Sequence, residues 1–123
     1  MKTNKQASVF LFGIILIIGG IFHFLKPLVY FPFIPDFLPK YLVNYLAGAV
    51  EIVLGIGVFV PKLASIAAYG IFLLMIAFLP LHMADVFKLH PAIGSHAIAL
   101  IRLPMQFLLI WWAWANYRLL YQS

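Results

Sequence analysis

Residues 8–25 read SVFLFGIILIIGGIFHFL, a run with no Lys, Arg, Asp or Glu in it. A helix rises about 1.5 Å per residue, so about 20 such residues cross a hydrocarbon core about 30 Å thick. The run therefore predicts a membrane-spanning helix. Three further stretches, 41–60, 63–83 and 96–114, are nearly as apolar, with Glu51 and Arg102 as their only charges. The breaks between them carry the residues that end helices: Lys26-Pro27, Pro61-Lys62, and a connection holding Pro91 and Gly94, with Ser95 placed to cap the last helix. Residues 1–123 thus predict one all-α domain, an integral membrane four-helix bundle, with residues 27–39 as an apolar Pro-rich segment between the first two helices.

Composition points the same way. Of 123 residues, 66% are apolar and 9% charged. A soluble domain carries about 25% charged residues, so most of the expected charge is missing. Disorder is excluded for the same reason, because so apolar a chain does not stay solvated. The net charge is +5, yet the basic residues stand singly and form no stripe, which excludes nucleic acid as a partner. Cysteine is absent, so no disulfide, thiolate metal site or dithiol centre is encoded. The sequence also lacks a phosphate-binding glycine loop, a nucleophile elbow and an HExxH pair.

Lys2 and Lys5 precede the first apolar run in the manner of a signal peptide, but the run is too long and no small-residue cleavage site follows, so a retained first span is expected. With four spans both termini share a side. Lys2, Lys5, Lys62 and Arg118 lie on it against Lys26, Lys40 and Lys88 on the other, which puts the termini in the cytoplasm. The segment PLVYFPFIPDFLP (27–39) cannot continue a helix and is too apolar for a solvated loop. It reads either as an interfacial anchor or as a lid folded back over the bundle.

Ionisable groups inside spans are costly and face the bundle interior. Here they are Glu51, Arg102 and, nearer the span ends, His23 and His82. Glu51 shares a helix face with Asn44, Ala47, Gly48 and Gly55, and His23 follows Gly19 and Gly20. Small residues mark close helix contacts, so both polar groups are expected to point inward. Arg102 and Gln106 share a face with Ala99 and Ala113. Counting rise from the non-cytoplasmic surface puts Glu51 and Gln106 at about 15 Å, Arg102 at about 9 Å, and His23 and His82 within about 3 Å. On that count Arg102 reaches toward Glu51. The pair reads either as a buried ion pair fixing helix register or as a ligand- and proton-handling site. No metal site is expected, and two histidines in an apolar chain form no specific haem motif.

The strings GGIFHFLKP (19–27), IPDFLP (34–39), LAGAVEIVLGIGVFVP (46–61) and IRLPMQFLLIWWAW (101–114) together resemble the DoxX-like membrane proteins. The resemblance implies a four-span protein of a bacterial cytoplasmic membrane, in a family associated with oxidoreductases, some of whose members resemble subunits of a thiosulfate:quinone oxidoreductase. By position it carries over to His23, Glu51, Arg102 and Gln106. The chain departs from the pattern at PLHMADVF (80–87), where many members have an Asn after the proline and this one has His82. The expected function is an accessory subunit that binds a quinone or similar lipophilic redox molecule. Glu51 would exchange a proton, Arg102 would hold an oxygen, Gln106 and Asn44 would help bind the ligand, and His23 would link the pocket to the surface. A partner subunit would supply electrons, because this chain encodes no redox centre. The other reading is a non-catalytic membrane scaffold or assembly partner, and further copies of the chain are compatible with either.

Overall fold

A computed structural model describes residues 2–122. The side chains of Lys2 and Lys5, counted above for orientation, lie outside the described part. Four long helices form: α1 (Lys2–Leu25), α3 (Lys40–Gly57), α4 (Ala64–Val86) and α5 (His96–Gln122), with a one-turn helix α2 (Pro27–Tyr30) and a 3₁₀ turn (Phe31–Phe33) between the first two. Each long helix contains a stretch long and apolar enough to cross a membrane, namely Gln6–Leu25, Lys40–Gly57, Ala64–Val86 and His96–Tyr121. The molecule has the build of a multi-pass membrane protein.

Helix ends follow local chemistry rather than membrane thickness. α3 stops at Gly57 and not at the expected residue 60, because Pro61 biases Val60 away from helical backbone and the chain turns through hydrogen bonds from Phe59 and Val60 to Ile56 and Gly57. α5 runs on to Gln122, well past the expected 114, since no breaker follows. Ser95 caps it, its Oγ accepting the Ile98 N–H at 3.2 Å.

The helices pair closely as α1 with α3 and as α4 with α5, and the two pairs meet through the slighter α3–α4 and α1–α5 contacts. Glycine sets the first pair. A Cβ on Gly20 would stand 2.7 Å from the Gly48 carbonyl oxygen, and one on Gly55 would stand 2.7 Å from that of Gly13. Gly13 thus faces Gly55 and Gly20 faces Gly48, a constant antiparallel register in which backbone touches backbone. Outward, α1 presents Leu11, Ile14, Ile18 and Phe22. A buried core of Val9, Phe12, Leu16, Val58, Ala67, Ile71, Met75 and Ala113 fills one half of the bundle.

In that half Ser8, Trp112 and Asn116 form a polar cluster. Ser8 Oγ donates to Asn116 Oδ1 (2.6 Å) and accepts the Trp112 indole N–H (2.9 Å), which ties α1 to α5. In the other half the packing opens into a cavity.

Candidate functional site

The cavity encloses about 400 Å³, within the range of small-molecule sites. Its floor is the apolar core, through Phe12, Leu16 and Met75. Its walls carry His23 from α1, Asn44 and Glu51 from α3, His82 from α4 and Arg102 from α5. Tyr30, Phe33 and Ile34 of the Pro-rich segment line it from above. The segment therefore folds back over the bundle.

Two lysines hold that segment down. Lys40 Nζ donates to the carbonyls of Ile34 (2.7 Å) and Phe31 (3.2 Å), and Lys88 Nζ donates to that of Pro32 (2.8 Å). A lysine opening α3 opposes the helix dipole, so these carbonyls, together with Asp36 at 3.2 Å, account for its position. The bonds satisfy irregular backbone, a requirement for any such segment near lipid. Lys88 comes from the connection after α4, which Asp85 organises. That buried carboxylate accepts the N–H groups of Ala92 (2.5 Å) and Ile93 (3.2 Å), with Lys88 Nζ at 3.8 Å. Asp85 is thus a loop organiser.

The central contact is between α1 and α3. His23 Nε2 stands 2.6 Å from Glu51 Oε2, and both side chains are about nine-tenths buried. Asn44 Nδ2 donates to the His23 carbonyl at 2.8 Å, which turns its Oδ1 onto His23 Nδ1 at 2.6 Å. An amide oxygen only accepts, so Nδ1 carries a hydrogen. Nε2 and Oε2 then cannot both be bare, for two lone pairs would oppose each other, nor can both be protonated. One proton lies between them, and the pair is neutral as a whole wherever that proton sits. Oε2 receives no aligned hydrogen bond in this arrangement, so a small rotation of ring or carboxyl is needed to bring the proton onto the line. Tyr30 stacks on the His23 ring, with centroids 3.7 Å apart and planes at 17°. Burial pushes its phenol above the usual tyrosine pKa of 10.0.

This corrects the expected pairing: Glu51 meets His23, which is buried, and not Arg102. In the glycine-set register His23 lies about 9 Å above Glu51 along the axis. Side chains lean toward the N-terminus of their own helix, and α1 and α3 run oppositely, so these two lean toward each other and close the gap. α5 runs parallel to α3, and Arg102 leans the same way as Glu51, so the separation between them stays open. Among the described residues Arg102 has no ion pair or hydrogen bond, and its Nη1 is buried without a partner.

Gln106 is also placed differently from its expected ligand-binding role. It is fully buried outside the cavity lining, where its Nε2 donates to the Met75 carbonyl at 2.6 Å and ties α5 to α4, while Oε1 has no partner. His82 does line the cavity, edge-on to Phe33 with centroids 5.5 Å apart. Sequence reasoning missed Tyr30, whose only signal is an aromatic residue one turn past a helix-ending proline. It also missed Asn116, whose signal is an amide within an apolar helix. Among the described residues no group of three His, Asp or Glu side chains is arranged to hold a metal ion.

The chain belongs to the family described as a domain of unknown function (DUF8561), whose model matches residues 12–117, from the cavity floor to the last span. No curated protein and no solved structure matches it.

Proposed function

Starting from a family whose description assigns no activity, we propose that this chain is a DoxX-like protein of a bacterial cytoplasmic membrane, with its termini in the cytoplasm. It binds a lipophilic redox molecule of the quinone type beneath residues 27–39 and holds a proton there, as an accessory subunit to a partner that supplies electrons. The observation that carries this reading is the one-proton His23–Glu51 pair on the wall of a mostly apolar cavity that also holds Arg102.

The donor set fits such a ligand. Arg102 offers N–H groups to a carbonyl oxygen, and Phe33, Phe78 and Ile34 offer an apolar surface to a ring. A bound quinone would supply two-electron carbonyl chemistry, which this chain cannot supply itself. The chain's own part is to bind, to exclude water, and to keep a proton at Nε2 or Oε2 within the bilayer. Asn44 fixes which imidazole nitrogen faces the carboxylate, and Tyr30 covers the ring.

The test is calorimetric titration of the purified protein, in lipid nanodiscs, with a short-tailed ubiquinone in buffers of different ionisation enthalpy. Wild type should bind with a buffer-dependent heat that reports proton exchange. Glu51→Gln should still fold but lose that dependence, because an amide in place of the carboxylate cannot exchange the proton. The non-catalytic scaffold reading draws on one observation, that Asn44 and Glu51 both tie α3 to His23 on α1. Unchanged heats in Glu51→Gln together with a large loss of stability would establish the scaffold instead.

A further inference from the structure

The sequence contains three acidic side chains in all. The structure gives each of them a partner. Asp36 is fully exposed beside Lys40, Asp85 is buried beneath two loop N–H groups and near Lys88, and Glu51 shares its proton with His23. Of the basic residues left over, Arg102 lines the cavity. Among the described residues it forms no ion pair with a carboxylate. Its Nη1 is buried without a partner at the cavity wall. With the His23–Glu51 pair neutral as a whole, the cavity carries one uncompensated positive charge.

A charge held this way in low dielectric demands a counter-ion, and no acidic side chain remains to supply one. We propose that the counter-ion is the ligand, and that the cavity takes an amphiphilic monoanion whose head meets Arg102 and whose apolar body lies among Phe12, Leu16, Phe78 and Leu109. A bare halide would satisfy the charge and leave most of the 400 Å³, lined by apolar side chains, unfilled. A two-chain phospholipid is too large to enter whole. The fitting chemistry is a single-chain carboxylate or the ionised hydroxyl of a ring compound, with the anionic headgroup of a membrane lipid as the other source of the same charge. This inference rests on the reading of the cavity as a ligand site but adds the charge of the ligand, which a neutral quinone does not share.

The experiment titrates the protein, in nanodiscs of phosphatidylcholine, with decanoate, with 1-decanol and with a decyl-tailed ubiquinone at alkaline pH. Decanoate should bind at least about tenfold more tightly than decanol, since the two differ in charge at nearly equal size. Arg102→Gln should abolish that preference, and Arg102→Lys should keep most of it. Nanodiscs containing phosphatidylglycerol separate the sources: weakened decanoate binding there means that the lipid headgroup competes for Arg102, and unchanged binding assigns the site to the free carboxylate. Equal affinity for decanoate and decanol, or a preference that persists in Arg102→Gln, overturns the inference. If the quinone still binds in that case, the cavity reading survives without the anion. If none of the three binds, both fall.

Discussion

Two adjacent glycines of α1 should respond to the same substitution in opposite ways. A Cβ on Gly20 would lie 2.6 Å from Ile52 Cγ1 and 2.7 Å from the Gly48 carbonyl oxygen. The second neighbour is backbone and cannot rotate away. Restoring an ordinary 3.4 Å contact requires α1 and α3 to part by about 0.7 Å at that point. Gly48 cannot yield, because its own face is against His23 Cβ and the Gly20 carbonyl. Overpacking of this kind costs about 1–3 kcal/mol, while alanine recovers about 1 kcal/mol of helix propensity over glycine. Gly20→Ala should therefore destabilise by up to about 2 kcal/mol and disturb the His23–Glu51 contact. A Cβ on Gly19 would meet one atom, the flexible Glu51 Oε1, at 3.3 Å. Gly19→Ala should keep or gain up to about 1 kcal/mol, leaving a gap of about 2 kcal/mol between the variants. Reversible unfolding in mixed micelles with a rising fraction of dodecyl sulfate, followed by tryptophan fluorescence, measures that gap. Gly20→Ala matching or exceeding Gly19→Ala in stability would refute the proposed backbone contact.

Other outcomes are equally specific. Ser8→Ala removes the bonds to Asn116 and Trp112, and at about 0.6 kcal/mol per bond in a membrane it should cost about 1 kcal/mol in the same unfolding assay. Lys88→Met and Lys40→Met release carbonyls of the Pro-rich segment, so hydrogen exchange at Ile34 should quicken while global stability moves by less than about 1 kcal/mol. The phenol of Tyr30 is pushed above the usual value by burial, so the folded state favours its neutral form. That contribution to stability is complete below about pH 10 and is lost as pH rises through the higher folded value. The phenolate absorbance of wild type minus that of Tyr30→Phe should accordingly develop at higher pH than free tyrosine; development at the ordinary pH would remove the burial argument.

Four apolar helices, and the inward faces of α1, α3 and α5, are legible in the residues alone. In a chain with so few charges the cost of desolvation leaves little choice: Glu51, Asn44 and His23 stand with glycine and alanine on their helix faces, and a polar group in a span must look toward its neighbours. The prolines of residues 27–39 likewise mark where the chain leaves the path of the first helix, although Pro27–Tyr30 and Phe31–Phe33 form short helical turns of their own. Which polar groups meet is set by the packing of one helix on another. Counting from span ends treats those ends as lying in one plane, whereas the axial register of α1 and α3 is fixed by Gly13 against Gly55 and Gly20 against Gly48. It takes no account, either, of the lean of side chains toward their own N-termini, which brings His23 and Glu51 together across antiparallel helices and keeps Arg102 apart from Glu51 across parallel ones. Gln106 shows the same limit, since a position on an inward face does not say whether a neighbouring helix backbone or open space awaits it there. Inward direction is a property of one helix and its solvent, but contact is a property of two helices and their register.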